Sequence, residues 1–475
     1  MEAGLPADLA NNRPATGIVH LGLGAFFRAF GCVYIADAMA ASGGDWGIIG
    51  VSLRSPDTRD ALRPQNWSYT SVSLGADGEK LRKIDVLNDV LVAPEDPDAV
   101  LTAMADPGVK IVTLTVTEKG YCHNPSTGAL NLDHPDIQYD LAHDLPVSTP
   151  GYLVRALARR HAAGVPPFTV LTCDNLPENG KLVRGMVLQL AERIDPKLAA
   201  WIAAEGRFPS TMVDRITPAT TDDDIRRLAA QTGTYDAAPV MHEPFAQWAV
   251  EDYFVDGQRP DLGAAGAEMV ADVTAHEHMK LRMLNGTHSA LAYTGYLAGH
   301  ETIAETVADP VFAAYVRALW SEIMPAVVAP KGVSLTQYAD ALFDRYANPA
   351  IRHRTWQIAM DGSQKLPQRL LGTLRENLDS ARPTTAMCVA VAGWMRYVSG
   401  VDEAGQPIDV RDPMADRLHA LAAQATGPAQ IVASLLAVED IFPADFAQRM
   451  QAPVTQAAEQ IWADGVRAVV KGASS

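Results

Sequence analysis

Cysteine is scarce in this chain. Cys32, Cys122, Cys173 and Cys388 are its four cysteines. They are widely separated and form no CxxC unit. That pattern excludes a disulfide framework, disfavours structural zinc, and predicts a reduced, cytoplasmic setting. Positive charge is also in short supply. Lys and Arg number 39 against 56 Asp and Glu, a formal net charge of −17. Nucleic acid and anionic membrane surfaces reward the opposite balance, so neither is expected as a partner. A small anionic metabolite stays compatible, because a few local cations overrule a global sign. Long apolar runs are missing: none reads as the roughly 18 residues that span a bilayer. Residues 1–17 lack the basic start and apolar run of a signal peptide. What is present is 475 residues, 48% hydrophobic and 20% charged. That is enough for two or three domains whose cores need no covalent staple.

Short β-like runs alternate with helical ones in the first half. Residues 17–21, 48–53, 110–116 and 168–173 read as strands, and 26–39 and 152–162 as helices. This alternation predicts an α/β, doubly wound, mainly parallel sheet. From about residue 276 the pattern is helical, with runs at 280–297, 310–326, 335–346, 384–398, 416–423 and 454–470. The expected division is residues 1–275 as a nucleotide-binding domain and 276–475 as a mostly α-helical substrate and catalytic domain. The cleft between two such domains is the default place for a small molecule.

Gly22 and Gly24 fall between a predicted strand and a predicted helix. In a Rossmann-like domain a GxG turn there lets backbone N–H groups approach a pyrophosphate. The third glycine of the usual GxGxxG is replaced by Phe27, so an ordinary βα turn is an equal alternative. Arg28 is a candidate for phosphate charge, or a solvated helix residue. The second strand ends Leu53-Arg54-Ser55-Pro56-Asp57, with no acid at its tip. Asp57 is the nearest carboxylate for an adenosine ribose, and a plain turn residue otherwise. Arg54 and Ser55 would suit a 2′-phosphate. NAD is the expected cofactor, with NADP left open.

The segment KLRMLNGTH, residues 280–288, carries an amine, a carboxamide and an imidazole within about two helical turns. On a regular helix, Asn285 lies about 140° and His288 about 80° around from Lys280. Met279, Leu281, Met283 and Leu284 make the surroundings apolar. In such a setting a lysine becomes less basic, and it must fall from about 10.4 toward 7–8 to exchange protons near neutrality. Spacing alone leaves structural readings of all three residues open. His276-Glu277-His278 is no metal pair, because alternate helix positions diverge by about 200°. Cys122-His123 has no partner pair, and no metal is expected.

Lys280, Asn285 and His288 match the Lys-x4-Asn-x2-His motif of the mannitol dehydrogenase family, the polyol-specific long-chain dehydrogenases. The resemblance continues through IVHLGLGAFFRA near the start, VTEKGY (116–121), TCDNLPENG (172–180) and MVDRITP (212–218). It extends to EPFAQWAVED (243–252) and NPAIRHRTWQIAMDGSQKLPQR (348–369). VTEKGYC, KLRMLNGTHS and RHRTWQIAMDGSQKLPQRL resemble the fructuronate reductase, or mannonate oxidoreductase, branch of that family. The resemblance implies roles. Lys280 would be the acid/base. Asn285 and Asn175 would hydrogen-bond the reacting oxygen, and His288 would orient the substrate. Glu277 would relay the proton to solvent. Asp214 and Lys365 match polar residues on the substrate side.

Two positions depart from the family pattern. Phe30 stands where relatives often carry His, and is assigned no role. Gln357 stands where a substrate-binding arginine is expected in mannitol dehydrogenases, which weakens mannitol as substrate. A uronate needs a cation for its carboxylate; Arg352, His353 and Arg354 are candidates, Arg354 first, with a basic surface turn as the plain alternative. The expected activity is NAD-dependent interconversion of a keto-hexuronate and an aldonate. A polyol 2-dehydrogenase (mannitol, arabinitol or sorbitol) is the alternative within the class, and a β-hydroxyacid dehydrogenase a more distant one. A non-catalytic dinucleotide sensor is the alternative from another class, though it has no use for a proton-transfer lysine. The partner is then a small sugar acid or polyol, and the chain a monomer or weak homo-oligomer.

Overall fold

The computed structural model describes residues 13–124 and 127–474. The initial residues read above for a targeting pattern therefore lie, up to residue 12, outside the described part. The chain divides into two compact units, 1–274 and 275–475.

The first unit is built on five parallel strands: β1 (Thr16–Leu21), β2 (Gly47–Ser52), β3 (Leu87–Val92), β4 (Ile111–Leu114) and β5 (Thr169–Thr172). Their order is β3-β2-β1-β4-β5, the arrangement of a Rossmann-like domain, with the reversal of direction beside β1. Apolar residues fill the strands on both faces, as a sheet covered by helices on each side requires. Val19, Leu21, Val112, Leu114 and Val170 enter one core, and Ile18, Ile48, Ile111 and Leu171 the other.

The sequence reading did not resolve β3, nor two small sheets. One contains the hairpin Tyr69–Gly75 and Gly78–Ile84 with Val240–His242. The other joins Thr211–Asp214, Gln247–Glu251 and Glu268–Val270. The run Ala25–Ser42 is long and apolar enough for a membrane span, contrary to the expectation of none. Half of that run is buried inside the unit, and it is two helices, Ala25–Ala29 and Gly31–Ser42, broken at Phe30. This is the composition of a core helix.

The second unit is helical, as expected. Its centre is Thr385–Val398, buried on nearly every side. The helix Thr287–Leu297 packs directly on it. The expected run 454–470 is instead Ala444–Asp464 followed by Val466–Ala473. Pro453 lies inside the first of these helices rather than ahead of it.

Candidate active site

In the first unit the GxG turn forms as its sequence predicts. Gly22 has φ +93°, and a Cβ there would stand 2.2 Å from the Thr115 carbonyl oxygen. Gly22 and Leu23 both donate to the Val51 carbonyl at the end of β2, at 2.9 and 3.1 Å. Thr115 Oγ1 donates to the Gly22 carbonyl at 2.8 Å. The turn is thus pinned to both neighbouring strands. Gly24 is different: it is exposed, and a Cβ there would meet nothing nearer than 3.8 Å. Gly22 is required by the fold, whereas Gly24 leaves its backbone open to an approaching group. The N–H groups of Gly22, Leu23 and Gly24 are used within the turn, so the room for a dinucleotide pyrophosphate is at the open Gly24 backbone, where the helix Ala25–Ala29 begins.

The other expected cofactor residues fare less well. Phe27 is fully buried, with its ring stacked on His20 at 3.4 Å between centroids. It is a core residue and offers a ligand only its backbone. Arg28 does not reach outward for phosphate. Its guanidinium is buried over the Tyr69 ring, 5.3 Å from the centroid, and donates to the Ala238 carbonyl at 2.5 Å. Both expectations are corrected by the same cause: the helix after the turn presents these side chains to the core. Asp57 is exposed in the first turn of Asp57–Leu62, where Ser55 Oγ donates to its carboxylate at 2.8 Å. That placement, just beyond β2, is compatible with a ribose hydroxyl.

Asn175 is exposed just beyond the carboxyl end of β5. Its neighbour Asp174 holds the local loops together. Its carboxylate accepts from Val116 N (2.9 Å), Thr117 N (3.0 Å) and Tyr121 Oη (2.6 Å). Burial pushes this carboxyl up, and those donors oppose the rise. Asn179 ties the same loop to the next sheet, donating to the Asp174 and Thr211 carbonyls at 2.9 and 2.8 Å. The TCDN and VTEKGY motifs therefore build a rigid frame around Asn175. Asp214 is buried at the end of its strand, opposite Gln247.

In the second unit the expectation of one regular helix from Lys280 is corrected. Lys280–Gly286 is a π-helical turn, and a regular helix begins only at Thr287. With i→i+5 bonding, residues five apart fall on one side of the widened turn. Lys280 and Asn285 thus share a face instead of lying about 140° apart. A widened turn disturbs the regular carbonyl pairing. Trp320 Nε1 donates to the Met283 carbonyl at 3.2 Å, and Tyr346 Oη to that of Leu284 at 3.0 Å. Arg282 holds the outer side of the turn through a two-pronged ion pair with Glu376, at 2.8 and 2.6 Å.

Lys280 and His288 are each 6% exposed; Asn285 and Glu277 are half-buried. His288 packs against Tyr346 at 4.7 Å and His353 at 5.1 Å between centroids. Burial holds His288 well below the usual imidazole range, helped by His353, Arg345, Arg369 and Lys280. Burial likewise lowers His353, to about 4, with Arg369, Lys365 and Arg345 adding to it. Both rings are neutral at pH 7.

A second π-helical turn, Pro367–Leu371, packs on the first. Pro367 lacks the N–H that a regular helix would use, and its ring would crowd the carbonyl four residues back. Gly286 permits the contact between the two turns, since a Cβ there would lie 2.6 Å from the Arg369 carbonyl oxygen.

Lys365 donates to the Met360 carbonyl at 2.6 Å and stands 3.8 Å from the Asp361 carboxylate. Arg354 is not drawn to the imidazoles. It caps the short helix Thr355–Ala359, half-exposed, with Nε 3.5 Å from Glu301. Gln357 lies one turn along, also exposed. Of the RHR triplet, His353 is the residue that turns inward.

Comparison with known proteins agrees with this architecture. The mannitol dehydrogenase Rossmann domain model matches residues 16–264, and the mannitol dehydrogenase C-terminal domain model residues 272–462. The chain belongs to the mannitol dehydrogenase family. It is an oxidoreductase acting on CH–OH groups. It is 45% identical to D-mannonate oxidoreductase of Escherichia coli (strain K12), over 97% of this chain and 96% of that protein. It is 40% identical to mannitol 2-dehydrogenase of Phaeosphaeria nodorum, over 96% of this chain and 80% of the relative. The solved ternary complex of Pseudomonas fluorescens mannitol 2-dehydrogenase with NAD and D-mannitol superposes with a TM-score of 0.86. That structure shares 38% identity, covering 98% of this chain and 94% of the other.

Within this family member, Phe30 is explained by packing. It is fully buried and meets Phe26, Tyr34 and Trp248 at 5.1, 5.0 and 5.3 Å. A grouping of Cys122, His134 and Asp136 brings possible ligand atoms within 4.8 Å of one another. Burial, with Asp136 and Asp140, pushes the Cys122 thiol up to about 12, so it is a neutral thiol at pH 7. The sequence reading passed over Arg345, Arg369 and Asp174. No local spacing marks them, and only the fold gives them neighbours.

Proposed function

We propose that this chain is an NAD-dependent reductase of a keto-hexuronate, interconverting D-fructuronate and D-mannonate. The observation that carries the chemistry is the buried Lys280, on one face with Asn285 and electrostatically coupled to His288. When bound, the nicotinamide ring supplies hydride to the carbonyl carbon or takes it back. As the ketone is reduced, Lys280 in its ammonium form gives a proton to the carbonyl oxygen; in oxidation it removes one. Asn285 donates a hydrogen bond to that oxygen and steadies its developing negative charge. His288, held neutral, orients the substrate hydroxyls. Glu277, three residues before Lys280, passes the proton to solvent. Asn175 and Asp214 take the oxygen-binding and substrate-side roles that the resemblance implies. Gly22 and Gly24 form the dinucleotide turn, and Asp57 takes the ribose.

The substrate class is supported by three observations. One is that Arg345, Arg369, Lys280 and Lys365 act on His288 or His353. Another is Gln357 where mannitol dehydrogenases are expected to carry arginine. The third is the 45% identity to D-mannonate oxidoreductase. The likeness to mannitol 2-dehydrogenases favours a second reading, oxidation of a neutral polyol. NADH consumption measured with D-fructuronate and D-fructose separates them. The uronate should be reduced with the higher kcat/KM; preference for fructose would establish the second reading instead.

A further inference from the structure

We propose that His20, with Thr113 and Thr115, is the positioning group of the dinucleotide turn, and that its stack with Phe27 replaces the third glycine of the usual motif. The inference rests on NAD as the cofactor. His20 lies on β1 directly opposite Thr113 of β4, and it is fully buried. Its Nδ1 is 2.8 Å from Thr113 Oγ1. Its Nε2 is 2.9 Å from Thr115 Oγ1 and 3.3 Å from the Gly22 carbonyl oxygen. Thr115 Oγ1 is itself 2.8 Å from that same carbonyl oxygen.

Counting protons gives these contacts a direction. The Gly22 carbonyl can only accept, so the single hydroxyl proton of Thr115 goes to it. Thr115 Oγ1 then accepts from Nε2, which carries the ring proton. A bare Nε2 would instead face the carbonyl oxygen, acceptor against acceptor. Nδ1 is left as an acceptor, and the Thr113 hydroxyl donates to it. Burial lowers His20 to about 3, so the ring is neutral at pH 7 and its partners fix this one tautomer. The Gly22 carbonyl thereby receives Thr115, His20 and, at 2.7 Å, the Gly24 N–H. Gly24 is the residue whose backbone is open. The buried relay therefore ends on the carbonyl that holds the cofactor-facing residue.

The third glycine of the usual motif lets the helix close on the strand. Phe27 stands there instead, its ring 5° from parallel with that of His20. Room for the ring comes from Gly31, four residues on, where a Cβ would stand 2.2 Å from it. Packed on both His20 and Gly31, the ring sets the spacing of helix and strand. The same imidazole thus fixes the turn through its nitrogens and the helix through its face.

The test compares Thr115→Val, Thr115→Ser and His20→Phe with the unaltered enzyme. It reads the dissociation constant for NADH by fluorescence titration well below each Tm, the Tm itself, and the imidazole protons of the cofactor-free protein by 15N NMR. Thr115→Val keeps the shape and loses the hydroxyl, so NADH affinity should fall by roughly tenfold. Thr115→Ser should restore most of it. His20→Phe keeps a ring against Phe27 but loses the relay, and should weaken NADH to a similar degree; if it does not fold, Thr115→Val decides. The His20 signals should show the proton on Nε2 and a bare Nδ1. A lowered Tm with unchanged NADH affinity in Thr115→Val would reduce the relay to a structural contact and overturn the proposal. A ring protonated on Nδ1 would overturn it as well. If the unaltered enzyme binds NADPH and not NADH, the cofactor reading fails, and the same titrations with NADPH decide the role of His20. Binding of neither would overturn both.

Discussion

Lys280 has to be buried yet chemically accessible, and its position in a π-helical turn achieves both. Its neighbours Met279 and Met283 are fully enclosed, while Asn285 is brought onto its face. Lys280→Ala should lower kcat by roughly 10²–10⁴ with little change in NADH affinity. Single-turnover kinetics and fluorescence titration check this, and near-normal rates would remove Lys280 as acid/base. The two glycines of the cofactor turn should separate cleanly. Gly22→Ala meets a backbone oxygen at 2.2 Å and a positive φ, so it should cost at least about 2 kcal/mol in urea unfolding. Gly24→Ala has room for its Cβ, so it should fold normally and lose NADH affinity. At this scale the sequence was readable where backbone geometry demands a residue, as at Gly22. It was not readable where direction matters. Arg28 and Arg354 are the same residue type, and only tertiary packing sends the first inward to the Ala238 carbonyl and the second to Glu301.

The elements that shape the chemistry are the two π-helical turns, Lys280–Gly286 and Pro367–Leu371. Hydrophobic periodicity carries little information about i→i+5 bonding, so the first turn reads as ordinary helix. The donors that accommodate it, Trp320 and Tyr346, come from distant segments. Gly286→Ala should force the turns apart against the Arg369 carbonyl. The expected cost is about 1–3 kcal/mol, with a fall in kcat larger than that of a matched surface Gly→Ala. Thermal melting together with steady-state kinetics checks it; wild-type behaviour would deny the close contact. The five-stranded sheet was largely legible because buried parallel strands are continuous apolar runs. β3 was missed because Asn88 and Asp89 interrupt its apolar pattern. The helix Ala444–Asp464 was halved in the reading because Pro453 looks like a stop.

At the scale of the whole molecule, several imidazoles are folded away uncharged. Burial lowers His20 to about 3, opposed by its bond to the Gly22 carbonyl, and it sits between Thr113 and Thr115 at 2.8 and 2.9 Å. The folded pKa is below the unfolded value near 6.5. The stabilising contribution is therefore full above pH 6.5 and is lost as pH falls toward 3. Buried carboxyls whose values are raised, such as Asp140 and Glu322, act in the opposite sense, so the useful comparison is between variants. On going from pH 7.5 to about 4.5, Tm should fall more for the unaltered chain than for His20→Gln. Parallel curves would contradict a neutral, buried His20.

The proposed function joins a sugar-acid substrate to Lys280 as acid/base. The measurement that tests this account most directly is NADH oxidation by the purified protein with D-fructuronate and D-fructose in parallel, beside Lys280→Ala. The account predicts a clear kcat/KM preference for the uronate, abolished for both sugars by the substitution. A preference for fructose, or turnover that survives the loss of Lys280, would contradict it.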